Sequence, residues 1–377
     1  MHRIDLTYAL RSTLPDERRP TALHHPLFAL LDALHRHGSI RAAAQALGLS
    51  YRHVWGELKR WEGELGRELV LWAKGQRAAL SPFGEKLLWA ERRAQARLAP
   101  QVEALRMELE RAFDVAFDDR IDVMTLCASH DQALPLLREL AREQGLHLDL
   151  NFMDSLDALR ALDAGQCTMA GIQVRDGVAR ASVSARIYRP RLKPGHHKLI
   201  GFAQRTQGLM VAPGNPRRIA GLSDMLRPEL RWVGRAEGTG TRILLDELLA
   251  EAGVHPPQPA LTEPSHVAAA QAVASGCADA AFGLEAAARP AGLDFIPLAR
   301  ERYFLLTLKS TLDSSPALRR LVGLLGSTAW AQVLAGLPGY AATEPGAVLA
   351  LTRVLPWWSY RNPSRPGTEG VAAPPQA

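Results

Sequence analysis

The chain has 377 residues, 47% hydrophobic and 22% charged, which excludes a disordered or fibrous protein and leaves room for two or three domains with substantial cores. Its net charge of +6 is uneven: residues 1–112 carry 18 Lys and Arg against 13 Asp and Glu, and the rest is nearly neutral, as a nucleic-acid-binding module at the front of the chain requires. No run of about 18 apolar residues occurs and the first residues lack a secretion signal, so a cytoplasmic location without a membrane partner is expected. Cys127, Cys167 and Cys277 are widely spaced in apolar stretches and read as buried thiols; no metal site or cofactor is expected.

Residues 1–24 read as a polar, flexible arm. After Pro26, apolar residues at Leu27, Leu30, Leu31 and Leu34 follow a helical period that ends at Gly38. Ser39 caps a second helix, Ile40 to Leu47, and Gly48 makes the turn. Ser50 caps a third helix to about Leu65, with Val54, Leu58, Trp61 and Leu65 as its buried stripe. Leu69 to Trp72 and Ala78 to Leu80 then flank the turn Lys74-Gly75-Gln76-Arg77, a strand–turn–strand wing. Ser81-Pro82 starts a long helix reaching about Phe113, broken only by Pro100.

This order of helix, glycine turn, helix and wing suits DNA reading: the first motif helix braces the second, whose N-terminal residues enter the major groove of double-stranded DNA. Ser50, Tyr51, Arg52 and His53 occupy that end, and Arg52 can donate two parallel hydrogen bonds to guanine. Lys59 and Arg41 are phosphate candidates, and Lys74, Gln76 and Arg77 of the wing can reach backbone or minor groove. A packing domain with solvated basic residues is the plainer alternative; agreement among caps, turn, stripe and wing argues against it.

The run Gly38-Ser39-Ile40-Arg41-Ala42-Ala43-Ala44-Gln45-Ala46-Leu47-Gly48-Leu49-Ser50-Tyr51-Arg52-His53-Val54-Trp55 resembles the N-terminal domain of molybdate-responsive regulators, and LysR-type regulators share the same winged motif. Leu80-Ser81-Pro82-Phe83-Gly84 is similar to the Leu-Thr-Pro-hydrophobic-Gly that follows the wing in both. The resemblance covers about residues 25–112. It implies a homodimer formed by the long helix, with Leu87, Leu88, Leu98, Val102, Leu105 and Leu109 as partner-facing positions, although burial against a second domain would give the same pattern.

From Ile121 short apolar strands alternate with helices. Strands are expected at Val123–Cys127, Leu148–Met153, Met169–Val174, Gly208–Val211, Arg231–Val233, Ala278–Phe282 and Tyr303–Leu308. Helices are expected at Gln132–Glu143, Leu156–Ala164, Arg242–Ala252, Val267–Ser275 and within Ala317–Leu334, giving an α/β domain with largely parallel sheets. Four strand ends carry small or hydroxyl residues before a helix: Ser129-His130-Asp131, Asp154-Ser155-Leu156, Gly238-Thr239-Gly240-Thr241-Arg242 and Pro264-Ser265-His266. A helix N-terminus offers free N–H groups to an anion, yet any one of these residues reads equally well as an ordinary cap. The glycine loop is the best of the four, with Arg235 and Arg242 supplying charge; it lacks the Gly-Lys-Ser/Thr of a P-loop. The candidate ligand residues are therefore Ser129, His130, Ser155, Arg235, Gly238, Thr239, Gly240, Thr241, Arg242, Ser265 and His266. Neither Ser-His pair has a third orienting group, which argues against a serine hydrolase.

Over about residues 121–310 this part resembles the periplasmic-binding-protein-like domain fused to such DNA-binding modules, related in fold to molybdate- and tungstate-binding proteins. Ala128-Ser129-His130-Asp131, Ala170-Gly171-Ile172, Arg235 through Arg242 and Ala278-Asp279-Ala280-Ala281-Phe282-Gly283 carry the resemblance. The expected fold class is α+β multidomain: a winged helix-turn-helix with a long dimerisation helix, then a two-lobed α/β domain. The expected layout is an arm (1–24), the winged domain (25–82), the linker helix (83–118), the ligand-sensing domain (119–345) and a C-terminal segment with a disordered tail (346–377). The resemblance implies a non-enzymatic, DNA-binding regulator that senses a small anionic effector, molybdate or tungstate first. A small organic effector on the same architecture is the nearer alternative; an enzyme or solute-storage protein of molybdenum cofactor metabolism is the farther one.

Overall fold

The computed structural model describes residues 25–71, 78–117, 123–255 and 257–358, and three helices open the described part. Helix α1 (Pro26–His37) has proline in its first turn; α2 (Ile40–Leu47) starts at Ser39, whose Oγ accepts the Ala42 N–H at 3.1 Å. Helix α3 (Tyr51–Leu65) starts at Ser50, whose Oγ accepts the His53 N–H at 3.1 Å. Leu31 and Leu58 are fully buried where the three helices meet, each contributing about 1.5–3 kcal/mol. Of the expected α3 stripe, Val54 and Leu58 are buried, while Trp61 and Leu65 close its margin.

Strands β1 (Val70–Leu71) and β2 (Ala79–Leu80) pair antiparallel as the base of the wing. Residues 72–77, and with them Lys74, Gln76 and Arg77, lie outside the described residues, as do the arm and residues 359–377. The first turn of helix α4 (Pro82–Phe117) lies against the backbone that leads into β1. A Cβ at Gly84 would sit 2.4 Å from the Leu69 carbonyl oxygen, so the glycine of the Leu-Ser-Pro-Phe-Gly run is there to let two backbones touch.

The second half is built from β3 (Val123–Ala128), α5 (Ala133–Glu143), β4 (His147–Phe152), α6 (Ser155–Asp163), β5 (Met169–Arg175), α7 (Val183–Tyr188) and β6 (His197–Val211). It continues through β7 (Trp232–Arg235), α8 (Gly240–Ala252), β8 (Leu261–Glu263), α9 (His266–Ala274), β9 (Ala280–Leu284), α10 (Glu285–Ala288) and β10 (Asp294–Leu308). Helices α11 (Lys309–Ser314), α12 (Pro316–Leu325) and α13 (Thr328–Ala335), strands β11 (Tyr340–Ala341) and β12 (Val348–Ala350), and α14 (Leu351–Val354) complete it. The path of the sheet is β4-β3-β5-β10-β6-β9-β7-β8.

Two corrections to the sequence reading follow. The sheet is parallel only within each lobe, β3/β4/β5 in one and β7/β8 and β7/β9 in the other. Strands β6 and β10 run antiparallel through both lobes, because a chain that crosses to a second lobe and returns must reverse direction. The runs expected at Gly208–Val211 and Tyr303–Leu308 are the ends of these 15-residue strands. The sensing domain also does not stop at 345: β12 pairs with β6, and Leu349, Leu351, Leu355 and Trp357 are buried in the first lobe's core. Among the described residues no helix is long and apolar enough to cross a membrane.

Candidate functional site

The candidate DNA face lies on α3. Ser50, Arg52 and His53 are exposed, with Tyr51 54% and Trp55 43% exposed beside them. Leaving two large aromatic rings in water is unfavourable unless a partner covers them, and Trp55 follows Tyr51 by one helical turn. The sequence reading missed Trp55; its i, i+4 spacing from Tyr51 was the available signal. The Ser50 hydroxyl is already an acceptor in the cap, which leaves its proton free to donate. Arg41 is exposed on α2. Lys59 pairs with Glu62 at 2.7 Å, and Glu62 accepts the Leu69 and Val70 N–H groups at 2.8 and 3.2 Å. Lys59 thus helps fasten the wing to α3, which the sequence did not suggest.

The second site lies between the lobes, where β6 and β10 cross. On the first lobe, Ser129 and Ser155 approach to 3.5 Å between hydroxyls, and Ser155 donates to Gln173 Oε1 at 2.9 Å. On the second lobe the glycine loop closes over them. Gly238 (φ +85°) has room for a Cβ only 3.1 Å from the Asp154 carboxyl carbon, and a Cβ on Gly240 would meet Gln173 Oε1 at 2.1 Å. Only glycines let this loop approach the opposite lobe so closely. Thr239 caps α8 through the Arg242 N–H at 3.3 Å and donates to the Ala236 carbonyl at 2.8 Å. Asp154 caps α6 by accepting the Leu156 and Asp157 N–H groups, both at 2.9 Å, so that helix end already carries a negative charge.

His266 is a fixed, neutral donor. Its Nδ1 accepts the Leu284 N–H at 3.3 Å, which leaves the proton on Nε2, 3.2 Å from Thr241 Oγ1. Burial, with Arg235, Arg205 and His130 nearby, holds its pKa well below the usual imidazole range. Thr241 therefore accepts from His266 and keeps its own proton for another partner. His130 is also pushed down, chiefly by burial, and stands 5.0 Å from the Phe152 ring.

Arg235 is the charged centre of this cleft. It is 5% exposed; Nη2 donates to the Pro264 carbonyl at 2.9 Å, while Nε and Nη1 have no partner among the described residues. Burial, opposed by Glu263 and reinforced by Arg205, pushes its pKa down to about 10, so it is still a cation at neutral pH. A buried guanidinium with two idle donors is unfavourable without an anion. Behind it, at the crossing of β6 and β10, Arg205 pairs with both Asp131 and Glu301 and stacks 4.6 Å from the Tyr303 ring centre. Tyr340 donates to Asp131 at 2.6 Å, and Gln207 donates to Glu301 at 2.6 Å. Sequence reasoning missed Gln173, Arg205, Gln207, Glu301, Tyr303 and Tyr340, which lie within or beyond apolar strands rather than at strand ends.

Two expected ligand residues point elsewhere. Arg242 turns to Asp246 at 2.8 Å and lines a surface groove of about 390 Å³ with Arg186, Trp232 and His255, on the other flank of α8. Ser265 is buried; it caps α9 through the Ala268 N–H at 3.1 Å and spends its proton on the Ala96 carbonyl of α4 at 3.3 Å.

The pattern of the PBP superfamily domain matches residues 137–326, half of the chain, and the chain belongs to that superfamily. In front, residues 27–85 match the bacterial regulatory helix-turn-helix protein, lysR family, which is regulatory rather than enzymatic. The chain thus joins a LysR-type helix-turn-helix to a PBP-like α/β domain. The uncharacterized protein YvgK of Bacillus subtilis is 33% identical over 207 residues, covering 53% of this chain and 65% of that protein, so the chain spans slightly under two thirds of that relative. The molybdenum-pterin-binding protein MopB of Rhodobacter capsulatus is 36% identical over 85 residues, 22% of this chain and 32% of that protein. The crystal structure of probable transcriptional regulator PA0477 from Pseudomonas aeruginosa aligns at 21% identity and a TM-score of 0.40, covering 81% of this chain and 97% of that one.

Proposed function

We propose that the chain is a cytoplasmic, homodimeric, DNA-binding transcription regulator whose two-lobed domain senses a small oxyanion of the molybdate or tungstate class. The observation that carries the effector half is Arg235: a buried cation with two nitrogens unpartnered among the described residues, whose charge bears on two neutral rather than cationic imidazoles, one of them the His266 that meets the Thr241 hydroxyl. Contact between the glycine loop and Asp154 and Gln173 favours a compact ligand over an extended one. The DNA half rests on the exposed Tyr51, Arg52, His53 and Trp55 face of α3. Leu105 and Leu109, 53% and 44% exposed one turn apart on α4, suit a second copy of the chain, and a two-fold dimer would read half-sites about 34–36 Å apart. The similarity to MopB, named for molybdenum-pterin binding, is consistent with a molybdenum-linked effector.

Titration calorimetry against molybdate, tungstate, sulfate and a panel of carboxylate metabolites separates the inorganic effector from an organic one. Molybdate or tungstate binding that is lost in Thr239→Ala/Thr241→Ala supports the reading; full retention in that double variant refutes the site. Absence of sequence-specific operator binding at moderate salt refutes the regulator.

A further inference from the structure

Helix α4 runs unbroken in sequence from the DNA-binding core to the cleft, and it touches both lobes. Near its start Leu88 is buried in the winged core and Arg92 pairs with Asp32 of α1. Its middle lies on the second lobe: Arg97 makes a two-pronged pair with Glu263, both contacts 2.7 Å, and Arg93 Nη1 stands 2.9 Å from Cys277 Sγ. Farther on, α4 packs against β4, and Ala104 rests on the core of the first lobe. The helix therefore contacts both lobes, the second at 93–97 and the first at 104.

Pro100 sits between those two footholds. Proline has no N–H, so the helical bond that residue 100 would give to the carbonyl of Ala96 is missing. Ala96 is 5% exposed, and a buried carbonyl without a donor is destabilising. Its donor is the hydroxyl of Ser265, across the domain boundary. Ser265 ends the turn that leads from Glu263, the last residue of β8, through Pro264 into α9. Arg235 grips the same turn from the cleft side through the Pro264 carbonyl. Glu263, 1% exposed, pairs with Arg97 on α4, and its charge also acts on the Arg235 guanidinium in the cleft.

We infer that α4 is a jointed lever resting on both lobes: the Glu263-Pro264-Ser265 turn clamps it to the second lobe, Ala104 seats it on the first, and Pro100 is the joint. An unbroken helix fixed to both lobes would oppose any change in their angle, and a proline is where a helix bends with least loss. Anion capture by Arg235 acts on the clamp through one residue, Pro264. A change in lobe angle then becomes a change in the bend of α4, which carries the recognition helix at its other end. This rests on the effector reading above for its trigger, but the clamp and joint are independent of what the anion is.

The test uses full-length protein and two variants that leave the anion contacts in place, Ser265→Ala and Pro100→Ala. The second restores a helical bond and so does not threaten folding. Operator affinity is measured by fluorescence anisotropy with and without saturating molybdate, alongside calorimetric molybdate affinity. Wild type is expected to change operator affinity by about fivefold or more on adding molybdate, and both variants to lose that response while binding molybdate within about threefold of wild type. A full response in both variants overturns the lever. If wild type binds neither molybdate nor any anion of the calorimetric panel, the effector reading fails, and the lever is judged in the ligand-free protein by amide exchange. Arg235→Ala must then raise exchange in residues 93–104 by about tenfold with α1–α3 unchanged; unaltered exchange there overturns it.

Discussion

Replacing Arg235 by methionine should make the protein more stable without anion and remove most of the stabilisation that anion gives. The side chain is 5% exposed, and two of its donor atoms, Nε and Nη1, have no acceptor among the described residues. Each idle buried donor costs about 1–3 kcal/mol, and exchanging a buried charge for an apolar chain of similar length commonly gains about 1–4 kcal/mol. Loss of the Nη2 bond to Pro264 returns about 1 kcal/mol of that, so a net gain of about 0–3 kcal/mol is expected in anion-free buffer. Binding moves the other way. Two charge-assisted hydrogen bonds at about 1.5–3 kcal/mol each amount to about 3–6 kcal/mol, a loss of roughly 10²- to 10⁴-fold in affinity. Wild type in anion at about 100 times its Kd gains about 2.7 kcal/mol, and the variant, with its Kd raised roughly 10²-fold or more, gains about 0.4 kcal/mol or less. Urea unfolding followed by tryptophan fluorescence, with and without molybdate or sulfate, reads both effects. The reasoning fails if Arg235→Met is the less stable protein in anion-free buffer, or if anion stabilises both proteins equally.

Three further outcomes are expected. Arg52→Ala should weaken operator binding by about 1–3 kcal/mol and relax preference at one base pair, checked by binding to a set of singly mutated operators at fixed salt. Arg205→Ala leaves Asp131 and Glu301 buried without their shared cation and should cost about 3–5 kcal/mol, seen as a lower urea midpoint at unchanged slope. His266 has a depressed pKa when folded and about 6.5 when unfolded, so the unfolded chain takes the proton first and stability falls as pH drops below that value. Between about pH 7.5 and pH 5.5 wild type should lose about 1.4 kcal/mol more than His266→Gln, and parallel pH profiles would remove the neutral imidazole from the account.

The winged domain was legible because its signals are local. Ser39 and Ser50 as caps, Gly48 as a left-handed turn (φ +67°) and the Val54/Leu58 stripe are properties of neighbouring residues, and the structure uses each of them as read. The strand–helix junctions around Ser155, Thr239 and Ser265 were legible for the same reason. What each side chain does there was not. Thr241 and Arg242 are adjacent, and one helical step of about 100° turns the first toward His266 and the second toward Asp246. The phase of a helix against the opposite lobe is set by packing, not by sequence neighbours.

The opposite case is Arg205 and Glu301, separated by 96 positions in the chain and facing each other across β6 and β10. Nothing in either strand names its partner, because register between distant strands is fixed only when the sheet forms. Ser265 and Ala96 likewise meet across 169 positions, and only the missing N–H of Pro100 explains why that carbonyl needs a hydroxyl. The sequence by itself determined the helix-turn-helix, the α/β class and the strand ends where a ligand could lie, all of which depend on contacts within a few residues. Tertiary structure alone decided that Arg235 is a buried cation with two nitrogens unpartnered among the described residues, that Arg242 turns away from the cleft and that α4 touches both lobes, since each depends on which distant surface a side chain is buried against.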